Sequence, residues 1–155
     1  MYQRILIPID GSEPANKALI AALQMARDSG GIVHLIHVVE GLSPLTVDPY
    51  GAYTDEVTAA MRQSGSKILE DAKMIAQAAG IPVSTELFDN FGSRVAEVVA
   101  DAAQHFNADL VVVGTHGRRG IERLLMGNGA EQIIRLSPVS VLVIRSIKAK
   151  ETSPK

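Results

Sequence analysis

The sequence predicts an α/β fold: one doubly wound sheet of five parallel strands with helices on both faces. Three observations carry that prediction. Short β-branched runs alternate with longer stretches of helical periodicity, the pattern of strand–helix–strand crossovers. The runs are apolar nearly throughout, as strands covered on both faces must be. No linker-like break in composition divides the 155 residues, 46% of them hydrophobic, so a single core is expected.

Arg4–Ile9 reads as the first strand and stops at Asp10-Gly11. Glu13–Ser29 reads as a helix with Ser12 as N-cap and Pro14 tolerated in the first turn. Its apolar stripe is Ala18, Leu19, Ala22, Leu23 and Ala26, and Gly30-Gly31 ends it. Ile32–Val39 is the second strand. Gly41–Asp55, with Pro44, Pro49 and Gly51, is longer than a usual connection and reads as a functional loop or a plain insertion. Glu56–Ala79 is a long helix that Gly65 weakens by about 1 kcal/mol relative to Ala. Gly80 signals its C-cap, and Pro82–Phe88 is the third strand. Ser93 is expected to cap a helix reaching Phe106, with Val95, Val98, Val99, Ala102 and Ala103 turned inward. Ala108–Val113 is the fourth strand, Gly114–Gly129 a glycine-rich segment, Ala130–Leu136 a short helix and Val139–Ile144 the fifth strand. Residues 1–147 then form the domain, and Lys148–Lys155 a disordered polar tail.

Composition excludes several functions. Fifteen Lys and Arg against 17 Asp and Glu leave a formal net charge of -2, so a binder of nucleic acid is not expected. The absence of cysteine removes disulfides, zinc–thiolate sites, iron–sulfur clusters and a thiol nucleophile. The longest apolar runs fall far short of the roughly 18 residues of a spanning helix. Ile5–Ile9 is too short for a secretory signal, so no membrane association is expected and a cytoplasmic location is.

In doubly wound sheets ligands bind beyond the carboxyl ends of the strands, where strand order reverses. Two segments meet that rule. Pro8-Ile9-Asp10-Gly11-Ser12 closes the first strand. Its carboxylate can accept from a ligand hydroxyl or amine, or hold a metal bound to phosphate; alternatively, Asp10 caps the turn and Gly11 supplies an unusual φ. The second is Val113-Gly114-Thr115-His116-Gly117-Arg118-Arg119-Gly120, after the fourth strand, followed by Gly127-Asn128-Gly129 at the opening of the last helix. Glycine-rich backbone at a helix N-terminus presents N–H groups to an anion, so the two parts together have the layout of a nucleotide site. Neither a Walker A loop nor a dinucleotide fingerprint is present. His34 and His37 face opposite sides of a strand and cannot share a metal. His105 suits a helix-end dipole contact. Among the four histidines His116 is the candidate for a site role. Arg118, Arg119 and Arg123 either approach phosphates or form a solvated basic patch.

These residues resemble the universal stress protein family over about residues 2–146. ATP-binding members of that family carry G-x2-G-x9-G-[S/T], and Gly114-x2-Gly117-x9-Gly127 reproduces the glycine spacing. ILIPIDGSE, HLIHVVE and SPVSVLVIR also look like the family. The resemblance implies strand order 3-2-1-4-5 and a dimer; the apolar edge strand Val139–Ile144 is where two copies are expected to pair, the alternative being that the C-terminal tail covers it. It implies that Pro8, Ile9, Asp10 and Val38 border adenine and ribose, and that Val113 and Gly114 line the base. His116, Gly117 and Arg118 would lie at the ribose and α-phosphate, and Gly127, Asn128, Gly129 and Ala130 around the outer phosphates. The ligand implied is ATP, or ADP or AMP, with Mg²⁺ accompanying ATP. One departure stands out: Asn128 occupies the family's hydroxyl position, and Ala130 offers no hydroxyl either. The function expected is an ATP-binding stress-response regulator whose nucleotide state alters binding to a protein partner. The alternatives are a nucleotide-free interaction module and a slow ATPase or autophosphorylating protein. No general base, arginine finger or nucleophile is evident for the latter.

Overall fold

The structure, a computed structural model, describes residues 1–39, 55–89, 93–115 and 129–145. Nine elements follow in order: β1 (Arg4–Pro8), α1 (Glu13–Ser29), β2 (Ile32–Val38), α2 (Asp55–Ala78), β3 (Val83–Phe88), α3 (Val95–Phe106), β4 (Leu110–Gly114), α4 (Ala130–Leu136) and β5 (Ser140–Ile144). The strands form one parallel sheet in the order β3-β2-β1-β4-β5, as expected.

The alternation of side chains along a strand divides the core in two. Ile5, Ile7, Val33, Leu35, Leu110 and Val112 turn to one face, where Ala18, Leu19, Ala22 and Ala26 of α1 and Leu69, Ala72 and Ala76 of α2 cover them. Leu6, Ile36, Val111 and Val113 turn to the other, under Val99, Ala102 and Ala103 of α3 and Ile133 of α4. The large apolar residues of β1, β2 and β4 are mostly buried, those of the edge strands β3 and β5 half-buried, and each large buried one contributes about 1.5–3 kcal/mol. Alanines dominate the inward stripes of α1 and α3, which lets both helices lie close to the sheet.

The strand order follows from the crossovers. α1 and α2 carry the chain from β1 to β2 to β3 on one face. The chain then returns past two strands through α3 on the other face, so β4 pairs with β1 from the opposite side. The order reverses between β1 and β4.

Several boundaries differ from the sequence expectation. Asp55 opens α2 instead of closing the preceding loop, and residues 40–54 of that loop lie outside the described residues. Ser93 does not cap α3. The N-cap is Arg94, whose carbonyl takes the first helical bonds from Glu97 and Val98 while its side chain makes none. The hydroxyl therefore sits one residue before the point where the backbone turns helical. Asp109 stands outside β4. Its carboxylate accepts from the Gln3 and Arg4 amides at 2.9 and 3.1 Å, and so clamps the start of β1. The tail from Lys148 lies outside the described residues.

Candidate functional site

The crevice at the reversal is built from the carboxyl ends of β1, β2 and β4 and the first turns of α1 and α4. Beyond Pro8, the Ile9 amide still donates to Ile36 O at 2.7 Å, which extends the ladder by one residue. Asp10 follows. Its Oδ1 accepts from the Ser12 amide at 2.9 Å, and Gly11 between them has φ 81°. Ser12 then caps α1, with its Oγ accepting from Ala15 N at 3.3 Å. The turn-capping alternative for Asp10 is therefore realised, and the same bond holds the carboxylate at the strand's end. Capping and ligand binding are compatible, since a carboxylate has two oxygens and about four acceptor positions.

On the neighbouring strand, Val113 and Gly114 end β4, and the ladder continues through the Thr115 amide to Ile144 O at 2.9 Å. Ile9 and Val113, at the carboxyl ends of neighbouring strands, place their side chains in the two halves of the core. Gly114 has a reason not foreseen from the sequence. A Cβ there would collide with the Pro14 carbonyl and lie 3.0 Å from Pro14 Cβ. The bare Cα lets the first turn of α1 seat directly on the end of β4. At α4, Gly129 is the N-cap with φ 62°, a conformation that favours glycine. It has no side chain to cap the helix, and the amides of a helix's first turn lack intrahelical acceptors.

Of the predicted site residues, the structure brings Pro8, Ile9, Asp10, Val38, Val113, Gly114, Gly129 and Ala130 to the carboxyl edge of the sheet or to the start of α4. His116, Gly117, Arg118, Gly127 and Asn128 lie outside the described residues, as do Arg119 and Arg123. His34 and His37 face opposite sides, as expected: His34 stacks on Phe106 of α3, and His37 lies against Gly65 of α2. Among the described residues, no cluster of three or more metal-capable side chains occurs.

Sequence reasoning missed what the two strand histidines do. His37 Nδ1 lies 2.7 Å from Ile9 O, and His34 Nδ1 lies 2.7 Å from Ser84 Oγ. The available signal was polarity within a buried strand, because such groups need a partner.

Comparison with known proteins shows the family and the fold. The sequence model of the "Universal stress protein family" matches residues 1–145. A curated relative from Methanocaldococcus jannaschii, "Universal stress protein MJ0531", is 32% identical over 148 residues, covering 96% of this chain and 85% of its own. The crystal structure of a universal stress protein family member from Burkholderia pseudomallei superposes with TM-score 0.72 at 28% identity, covering 94% of this chain and 97% of that one. Two further structures share the fold. A universal stress protein in complex with cAMP has TM-score 0.67 and 23% identity, with coverage of 93% and 97%. One from Archaeoglobus fulgidus in complex with dAMP has TM-score 0.65 and 21% identity, with coverage of 92% and 98%.

Proposed function

This chain belongs to the universal stress protein family, and from that premise we propose that it is a cytoplasmic, dimeric regulator that binds ATP at the carboxyl edge of its sheet. The observation that carries this reading is the position of the glycine spacing. β4 ends at Gly114 and α4 begins at Ala130, so Gly114-x2-Gly117-x9-Gly127 falls in the connection that leaves β4, one of the two strands between which the order reverses. Adenine nucleotides bound to structural neighbours support the class of ligand. In this reading Asp10 faces the ribose, the backbone at Pro8, Ile9, Val38, Val113 and Gly114 borders the base, and His116, Gly117 and Arg118 follow the α-phosphate. Gly127 to Ala130 wrap the outer phosphates, and Mg²⁺ enters with the triphosphate. Nucleotide state then alters the surface offered to a protein partner.

Isothermal titration with ATP, ADP and AMP tests the reading, with Gly117→Val as the control. The variant is expected to fold and to bind none of the three; a variant that binds like wild type refutes the site. Asn128 in the family's hydroxyl position favours a second reading, in which the chain is a nucleotide-free interaction module. An Asn amide donates from a longer side chain and in another direction than a hydroxyl. One bond to a charged group is worth about 1.5–3 kcal/mol, or roughly tenfold to hundredfold in affinity. ATP and ADP are therefore expected to bind alike in wild type, and Asn128→Ser to favour ATP. A wild type that binds no nucleotide supports the second reading.

A further inference from the structure

His37 lies beside the end of β1, one residue before the end of β2. Its Nδ1 is 2.7 Å from the Ile9 carbonyl oxygen. A carbonyl only accepts, so Nδ1–H is the donor, in the neutral ring and in the cation alike. The Ile9 amide is held by Ile36 O, also at 2.7 Å. Both polar groups of Ile9 are thus fixed by β2, one by backbone and one by the imidazole. The carbonyl matters more for the site, because it belongs to the peptide plane that joins Ile9 to Asp10. Its direction sets where the Asp10 carboxylate leaves the chain and whether Oδ1 meets the Ser12 amide.

The opposite edge of the ring meets α2. Gly65 is buried mid-helix, and a Cβ there would lie 2.6 Å from His37 Cδ2 and 3.1 Å from Nε2. Any other residue would push the ring toward β1 or out of its plane. The imidazole is therefore gripped between a helix with a gap cut for it and the one carbonyl that orients Asp10.

We propose that His37 is a positioning residue for the nucleotide site, orienting Asp10 through the Ile9 carbonyl, with Gly65 seating its ring. The proposal rests on the nucleotide-binding reading above. It is tested with His37→Asn, whose amide can replace the Nδ1–H donor, and His37→Leu, which has no donor. ATP affinity is expected to fall about tenfold or more in the Leu variant and to recover in the Asn variant, the effect of losing one hydrogen bond that orients a ligand group. Gly65→Ala perturbs the ring from the other side and is expected to weaken ATP as well. Equal affinity in wild type and His37→Leu overturns the proposal, as does equal weakening in Leu and Asn, which means the ring only packs. A second measurement needs no nucleotide. Exchange of the Ser12 amide is expected to be slow in wild type and His37→Asn and faster in His37→Leu. Unchanged Ser12 exchange in the Leu variant overturns the coupling to Asp10 whatever binds there. A wild type that takes no adenine nucleotide overturns the reading of the site, and the proposal with it, even where Ser12 exchange responds.

Discussion

At the scale of single residues, His34 shows how a polar group is accommodated between a strand and a helix. Its Nδ1 lies 2.7 Å from Ser84 Oγ and its Nε2 3.4 Å from Glu86 Oε2. Its ring stacks on Phe106 with centroids 4.7 Å apart, and the Arg4 guanidinium carbon lies 4.3 Å from the Phe106 centroid. Burial holds the His34 pKa below its ordinary 6.5, against the opposing pull of Glu86. The sign of the pH effect follows. As pH falls below 6.5, the unfolded ring takes a proton before the folded ring does, so stability is full above 6.5 and declines below it until the folded ring also titrates. The urea midpoint is expected to drop between pH 7.5 and pH 5.5, and to drop less in His34→Gln. Parallel curves for the two proteins refute this. Gly65 offers a second residue-scale prediction, in which two effects compete. Alanine would improve helix propensity by about 1 kcal/mol. Its Cβ would stand 2.6 Å from a ring carbon of His37 and 2.8 Å from Leu87 Cδ1, and such overpacking costs about 1–3 kcal/mol. Leu87 can turn its terminal methyl, but His37 is tied to Ile9 O, so the clash is expected to win. Gly65→Ala should lower the unfolding free energy, and a stabilised variant would show that the ring moves freely.

At the scale of elements, α1 is where local signals and long-range packing meet. Ser12 as cap, Pro14 in the first turn and Gly30 as C-cap at φ 69° are all local, and each was legible. The seat of that helix was not. Gly114 lies 100 residues from Pro14 in the chain, and nothing near it in sequence announces that its missing Cβ makes room for the Pro14 carbonyl. The sequence reading had Gly114 only as a residue lining a ligand's base. Gly114→Ala is expected to cost about 1–3 kcal/mol by forcing the first turn of α1 off β4, because backbone cannot step aside as a side-chain tip does. Urea unfolding of the ligand-free protein checks this; an unchanged midpoint would return Gly114 to a ligand role alone. The same distinction explains the rest of the comparison. Strands and helices were legible because their apolar periods recur within a few residues. The glycine spacing was legible because it lies in one connection. The bond from His37 to Ile9 joins residues 28 apart, and that from His34 to Ser84 joins residues 50 apart. Such pairings depend on register between strands, which the one-dimensional pattern does not state. The start of α3 failed for a smaller reason: a hydroxyl at Ser93 marks the ability to cap, while the helical turn begins from Arg94.

At the scale of the whole molecule, the sheet has two edges of opposite character. β3 exposes Ser84, Thr85 and Glu86, and a charged edge discourages further pairing. β5 presents Val141, Leu142, Val143 and Ile144, all half-buried. On α4, which follows β4 and leads into β5, Ile134 is 52% and Leu136 45% exposed. Apolar strand edge and exposed apolar helix surface together make β5 the side on which a second copy would bind. Antiparallel pairing of two β5 strands about a two-fold axis would satisfy the edge amides and carbonyls, and closes the assembly at two. Sedimentation at micromolar concentration is expected to show a dimer. Val141 and Val143 also pack against the α3 and α4 side of the core, so Val141→Lys with Val143→Lys is expected to weaken such a dimer at some cost to the monomer. Ile134→Lys separates the two effects, because an exposed side chain has little folding stability to lose. It is expected to shift the dimer toward monomer while leaving thermal unfolding of the monomer unchanged. Deleting residues 146–155 tests whether that segment covers β5 instead: a chain that dimerises only after the deletion would assign the edge to its own tail.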